Sequence, residues 1–410
     1  MKMKSARTIL ISVDEEERAR FFLRFEKGLN FLGYRIIYIA DRFSVYKYIQ
    51  KQCSAGNSAL FLNRRMIDSN ISIPDLNECL ELRLQQDTLN NMKLVYQTVW
   101  GIRRQIDWPV AYVFIWNGCK TMDYALTLLA KKYEIPTVFF EIANIPGKIF
   151  VDPEGTNAYS YLYKHPDVLA QYDVNSQDYE SWLQNYINKK LQENTVKQAK
   201  GRSLEKSIKA TLIDISGYYF HQGIRERGIP WRKFKTRVRA IFKKRFLLKD
   251  NTWDLPSKYL FFPLQVASDT QIVIHAREGL ESSLRKAILE ARRLGLWLVI
   301  KPHPADPNPL YVNRIIREEY YNNILISKAN TFKLILHAER VFTINSTVGL
   351  ETLILGRPLT VIGQALYETF TEEDIKRYIM GYLIDVDYWG KEPLATNQLQ
   401  KILKRANVNS

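Results

Sequence analysis

Short apolar, β-branched runs recur along the 410-residue chain and alternate with longer segments of helical spacing, the pattern of a parallel α/β fold. Residues 8–13 (TILISV) predict a first strand, 16–32 a helix closed by Gly33, and 34–40 (YRIIYIA) a second strand. This β-α-β opening is of Rossmann type but lacks G-x-G-x-x-G, so nothing in it points to NAD. Residues 42–106 read as largely helical around a Gln/Asn-rich middle. A third parallel unit starts with a strand at 110–115 (VAYVFI), enters Trp116-Asn117-Gly118, continues as a helix over 123–133 and returns as a strand at 137–140 ending on Glu141. Asn117 and Glu141 therefore stand at neighbouring strand ends and face one crevice, where acid/base groups commonly sit. The loop beyond Glu141 holds Pro146, Gly147 and the run 152–160, which includes Asn157. Its polarity also suits a plain connection.

The same alternation resumes near residue 256. Strands are predicted at 258–263, at 296–300 after a helix over 281–293, at 341–344 and at 359–362. The helix between the last two begins at Asn345-Ser346-Thr347, residue types that favour helix starts, and stops at Gly356 before Arg357-Pro358. Such a start presents N–H groups, hydroxyls and the positive helix end at the carboxyl edge of a parallel sheet, where phosphates bind. An ordinary capped helix has the same sequence. The strand at 296–300 runs into Lys301-Pro302-His303-Pro304, where two prolines stiffen the exit and hold a cation and an imidazole at the strand end. Asp269 follows the loop after the strand at 258–263, a position that opens onto the crevice in doubly wound folds; capping the next helix is its simpler role. These patterns predict a Rossmann-like domain over 1–160, a helical, basic insertion over 161–255, a second Rossmann-like domain over 256–385 and a tail over 386–410.

Composition narrows the partners. The 46% of hydrophobic residues suffices for two cores, which excludes a disordered or fibrous chain. The three cysteines, Cys53, Cys79 and Cys119, show no metal-ligand spacing and no even disulfide set, so a reducing cytoplasm is the expected home. No apolar run approaches the roughly 20 residues that span a bilayer, and the first residues do not read as a signal peptide. The net charge of +16 calls for an anionic partner. Within 225–249, Arg232, Lys235, Arg239, Lys243 and their basic neighbours surround an apolar helical face of Trp231, Phe234, Val238, Ile241, Phe242 and Phe246. That arrangement suits a helix lying on the anionic inner membrane surface or on an anionic glycan, each basic residue near lipid contributing about 1 kcal/mol. A helix docked on its own protein with a solvated basic face gives the same pattern, and nucleic acid, for which no recognition motif accompanies the patch, is not expected.

Three motifs then carry a resemblance. FFPLQVASDTQI, KPHP and INSTVGLETLILGRPLTVIG, in this order, resemble the capsule-polysaccharide biosynthesis family of KpsS/KpsC-like retaining β-Kdo transferases. The His-Pro and paired-hydroxyl residues also resemble the nucleotide site of GT-B glycosyltransferases that use CMP-activated acidic sugars. Phe21-Phe22-Leu23-Arg24 and the FFE and GTNAYS segments are similar to the family's N-terminal half.

The resemblance implies a GT-B fold, two Rossmann-like domains facing a cleft, with a CMP-sugar donor held mainly by the C-terminal one. Asp269 would be the nucleophile that forms a covalent adduct with the anomeric carbon, and Glu141 the acid/base for the acceptor hydroxyl. Lys301, His303, Asn345, Ser346 and Thr347 would hold the CMP phosphate, with Glu351 near the ribose or base, and Asn117, Gln265 and Asn157 would contact substrate. No cofactor or metal is expected, because the helix start and Lys301 can neutralise the leaving phosphate and no DxD-type motif stands out. The family usually continues FEEG-Y-L-R-P after the acid, whereas this chain reads Phe140-Glu141-Ile142-Ala143-Asn144-Ile145-Pro146-Gly147. The transferred acid is then Kdo or a nonulosonic acid such as pseudaminic acid, and the acceptor a growing or lipid-linked surface polysaccharide. Two readings compete: an inverting CMP-sialic-acid-type transferase, and a non-catalytic capsule-assembly scaffold.

Overall fold

The computed structural model describes residues 7–77, 79–192, 204–224, 255–306 and 310–406. The basic segment with Arg232, Lys235, Arg239 and Lys243 lies outside the described residues. In chain order the elements used below are β1 (Arg7–Ser12), α1 (Glu16–Leu23), α2 (Glu26–Phe31), β2 (Tyr34–Ala40), α3 (Phe43–Gln52), β3 (Ser58–Phe61), α4 (Leu89–Gly101), β4 (Val110–Trp116), α5 (Thr121–Lys132), β5 (Thr137–Ile142) and β6 (Ile149–Asp152). The connection carries α6 (Ser176–Gln192) and α7 (Leu204–Phe220). There follow β7 (Tyr259–Pro263), α8 (Thr270–His275), α9 (Leu280–Leu294), β8 (Trp297–Lys301), β9 (Ile324–Ile326), α10 (Thr331–His337), β10 (Arg340–Thr343), α11 (Thr347–Ile354), β11 (Leu359–Val361) and α12 (Thr396–Arg405).

The strands form two sheets, ordered β3-β2-β1-β4-β5-β6 and β11-β10-β7-β8-β9. All pairings are parallel except β5 with β6. Counted from the first strand of each sheet, both contain the Rossmann order 3-2-1-4-5, so each reverses direction of winding once, between β1 and β4 and between β7 and β10. Two Rossmann-type units in one chain make this an α/β protein with the two Rossmann-like domains that were expected. The continuous apolar runs are explained by burial on both sheet faces: Ile9, Leu10 and Ile11 are buried in one sheet, and Leu260, Phe261 and Phe262 in the other. Each such side chain contributes about 1.5–3 kcal/mol on removal from water.

Three expectations needed revision. The helix expected over 16–32 is two helices, because the chain tightens at Arg24 and Phe25, whose N–H groups bond to Phe21 and Phe22 three residues back. That tightening seats Phe21, Phe22 and Phe25 in one core cluster. The segment 42–106 also supplies an edge strand, β3, paired in parallel with β2 and too short to read from its sequence. The antiparallel β6 lies where only a loop was expected.

Segmentation differs as well. One compact unit holds the described parts of 1–161, 201–231 and 383–410, and the other those of 162–200 and 232–382. The expected insertion over 161–255 is therefore divided: α6 belongs to the second unit and α7 to the first, where Asp214 accepts from the Arg42 guanidinium at 2.9 and 3.0 Å. The expected tail over 386–410 is core, since Leu399 and Ile402 of α12 are fully buried in the cluster of β1, β2 and α1.

Candidate functional site

In the second unit the exits of β10, β7 and β8 are neighbours in the sheet, and they carry the candidate nucleotide-binding groups. Gln265, after β7, and Asn345, after β10, are both buried and join the two sides of the switch point. The Gln265 amide donates to Asn345 Oδ1 at 3.0 Å, the Asn345 backbone N–H donates to Gln265 Oε1 at 3.3 Å, and the Asn345 amide donates to the Gln271 carbonyl at 2.8 Å. Buried amides engaged this fully fix the spacing of two loops.

Beside them, Ser346 caps α11, its Oγ accepting from the Val348 N–H at 3.2 Å, and Thr347 is exposed in the first turn. Gly349 lets Tyr367 approach: a Cβ there would stand 2.2 Å from the Tyr367 hydroxyl, which donates to the Ser346 carbonyl. The helix start is thus pinned from both sides. Asp269 is exposed and caps α8, its Oδ1 accepting from the Gln271 N–H at 2.9 Å.

At the β8 exit the Ala305 N–H donates to His303 Nδ1 at 3.1 Å. Burial lowers the His303 pKa, opposed by the carboxylates of Asp269 and Asp306. With Nδ1 accepting, the neutral ring carries its proton on Nε2 and is a hydrogen-bond donor there. The neighbouring Lys301 is half-buried and its ammonium donates to the Ala329 carbonyl; burial lowers its pKa, with Glu351 acting in the opposite sense. Glu351 itself is buried and pairs with Lys190 of α6 at 2.7 Å, within 3.4 Å of the Tyr186 hydroxyl. The Lys190 ammonium also lies over the rings of Tyr186 and Phe332, at 5.4 and 5.6 Å from their centroids. Glu351, which the resemblance puts near ribose or base, thus has a protein partner on α6.

In the first unit three expected residues come together. Glu141, near the end of β5, accepts from the Asn117 amide at 3.2 Å on Oε1 and from the Asn157 amide at 2.8 Å on Oε2. Both asparagines take the left-handed backbone conformation, with φ of 64° and 55°. Asn is the non-glycine residue that tolerates this best, which explains its use at two turns aimed at one carboxylate. Next to Asn117, Gly118 has φ 86°, and a Cβ there would meet the Phe139 ring at 2.8 Å. The loop bearing Asn157 is held from beneath by fully buried Asp152, whose Oδ1 accepts from the N–H groups of Glu154, Gly155 and Tyr161 at 2.9, 3.2 and 2.8 Å.

A charged group at the switch point of this sheet was not anticipated. Asp14, just past β1, accepts from Arg18 at 2.5 Å and from the Lys120 ammonium at the start of α5. Burial alone would raise its pKa, but Arg18 and Lys120 hold it well below the carboxylate range. Asp123, buried on α5, accepts from the Ser12 hydroxyl at 2.6 Å and has its pKa pushed up to about 8, first by burial and then by Asp14. Arg18 lies over the Trp116 ring at 5.3 Å. The signal for this cluster was the strand order, which places 12–14 beside 117–120, and a single sequence does not display that order.

Among the described residues no group of three or more His, Cys, Asp or Glu side chains is arranged to hold a metal ion, and no helix is long and apolar enough to cross a membrane.

Comparison with known proteins places these residues in context. A family profile described as "Capsule polysaccharide biosynthesis protein" matches residues 111–371. The chain is 28% identical over 295 residues to "Capsule polysaccharide export protein KpsS" of Escherichia coli, covering 65% of this chain and 70% of that one. It is 26% identical over 267 residues to "Protein FixF" of Sinorhizobium fredii (strain NBRC 101917 / NGR234), 64% of this chain and 51% of that one. Among solved structures, "Thermosulfurimonas dismutans KpsC, beta Kdo 2,7 transferase" aligns with a TM-score of 0.45 and 13% identity over 98% of this chain and 100% of that one.

Proposed function

From the premise that this chain belongs to the capsule polysaccharide biosynthesis protein family, we propose that it is a glycosyltransferase that moves a 3-deoxy-ulosonic acid, Kdo or a nonulosonic acid, from its CMP donor to a growing or lipid-linked surface polysaccharide. The observation that carries the reading is the convergence of His303, Asp269 and the Asn345-Ser346-Thr347 helix start on three adjacent strand ends of the second unit. The His303 Nε2–H, the Ser346 and Thr347 hydroxyls and the amino end of α11 are donors suited to a leaving phosphate.

The chemistry runs in two displacements. An Asp269 carboxylate oxygen attacks the anomeric carbon, the bond to the CMP phosphate oxygen breaks, and CMP leaves with the electron pair. Glu141 then takes the proton of the acceptor hydroxyl as that oxygen displaces Asp269, so the configuration is retained. The two amides that hold Glu141 orient its oxygens for this step. Charge neutralisation by Lys301 and the helix start removes the need for a metal in this scheme. The enzyme would work in the cytoplasm, peripheral to the inner face of the membrane, with the basic residues Arg232, Lys235, Arg239 and Lys243 meeting anionic lipid or glycan.

The test is thermal stabilisation by CMP, CDP, UMP and UDP, because a ligand bound only by the folded state raises its melting temperature. The reading expects a shift specific to cytidine nucleotides that is lost in His303→Ala. A larger shift with UDP, or none with CMP, would overturn the donor assignment.

A further inference from the structure

The scheme above leaves unused the charged group at the switch point of the first sheet. We propose that Arg18 and Lys120 form a subsite for an oxyanion, a carboxylate or phosphate borne by the acceptor glycan. The inference rests on the glycosyltransferase reading for the identity of the ligand, and on geometry for the site.

Its first support is position. The crevice beyond the carboxyl ends of the strands, where the strand order reverses, is where open α/β sheets bind ligands. Asp14 leaves β1 there, and Lys120 follows β4 on the other side. The second support is composition. Both cations converge on one carboxylate, Asp14, with side-chain exposures of 18% for Arg18 and 26% for Lys120. A guanidinium has five N–H donors and an ammonium three, so one shared carboxylate leaves donors for a second anion. Burial pushes the Asp123 pKa up to about 8, which weakens its competition for the two cations. Glu15 is the other nearby acid, half-exposed and 3.8 Å from Lys120, where water screens it. Trp116 under the Arg18 guanidinium holds that cation in place.

The third support is spacing. Asn117 and Glu141 leave β4 and β5, the next strands along the same edge. Neighbouring strands are about 4.8 Å apart, so the β1 and β5 exits are separated by roughly 10 Å, the reach of one to two sugar residues. An acidic sugar seated on Arg18 and Lys120 therefore presents a neighbouring hydroxyl to Glu141. The proposal makes the acceptor, like the donor, an acid, and assigns its charge to the first unit.

The test uses the full chain and three probes: the methyl glycoside of a uronic acid, the methyl ester of the same glycoside, and inorganic phosphate, titrated by ligand-observed NMR. The acid is expected to bind at least about tenfold more tightly than its ester. Lys120→Gln should weaken the acid about tenfold and leave the ester unchanged, and Lys120→Arg should restore the acid. Displacement of the acid by phosphate would support a general oxyanion site, and failure to displace it a carboxylate-selective one. Equal binding of acid and ester, absence of acid binding, or an acid affinity indifferent to Lys120→Gln would overturn the proposal. The CMP thermal shift, measured on the same samples, separates these outcomes from failure of the donor reading: it is expected to be identical in wild type and both Lys120 variants.

Discussion

The two Rossmann-type units share a strand order and differ in what stands at the reversal point. In the second unit the neighbours across that point are two neutral amides, Gln265 and Asn345, bonded to each other, with a neutral imidazole and two hydroxyls nearby. In the first unit the same topological place holds Asp14, Arg18, Lys120 and Asp123, most of their charge buried, and the next strand end carries a carboxylate clamped by two asparagines. Backbone topology fixes where a ligand can sit, and the side chains at the strand exits decide its chemistry. The amide- and hydroxyl-rich edge, with Lys301 beside it, suits a leaving phosphate, and the edge built on buried ion pairs suits proton transfer and recognition of an acidic acceptor.

The contrast can be broken most severely at Asp269. Asn caps helices as well as Asp does, so Asp269→Asn keeps the start of α8 while removing the proposed nucleophile. Transfer should fall by about a thousandfold or more, with the CMP thermal shift intact; full activity would show that Asp269 is only a cap. A second, structural break lies at Lys190. Lys190→Ala leaves the Glu351 carboxylate buried without its partner and should cost about 2–4 kcal/mol in urea unfolding, with part recovered by adding Glu351→Gln.

In the first unit, Asn157→Gly keeps the left-handed turn but removes one donor to Glu141, and should lower kcat by about ten- to a hundredfold at unchanged CMP affinity. Asn157→Ala should lose about 1 kcal/mol of stability beyond that, since alanine disfavours φ near 55°. The most gradual effect is one of pH. Asp123 has its pKa raised from 3.8 to about 8, so between those values the native state holds a proton that the unfolded chain has released. Its contribution to stability therefore falls as pH rises from about 4 to 8 and is constant above. Asp14, with its pKa depressed, acts in the opposite direction and only below about pH 4. Asp123→Asn should flatten the slope of unfolding free energy between pH 5 and 8; an unchanged slope would show that the carboxyl is ionised throughout.

Much of this was legible in the sequence. A strand such as β7 was readable because a parallel strand buried on both faces is an uninterrupted apolar run. The meeting of Asn117 and Glu141 followed from neighbouring strand exits on one edge, whereas Asn157 was legible only as part of the loop beyond, and its bond to Glu141 was not. What failed was long-range. Nothing in the α12 sequence states that Leu399 packs against α2 some 370 residues earlier, or that Lys190 seeks Glu351, because such contacts depend on which elements become neighbours. The switch-point charges escaped for the same reason: Asp14 and Lys120 are unremarkable until β1 and β4 are known to lie side by side.

The most direct test of the central claim is intact-protein mass spectrometry after incubation with CMP-Kdo and CMP-nonulosonic acids in the absence of acceptor. The account predicts, for one of these donors, a mass increase equal to one transferred sugar, located by peptide mapping to the segment containing Asp269 and absent from Asp269→Asn. Transfer activity in the wild type that persists undiminished in Asp269→Asn, with no adduct on that segment, would contradict it.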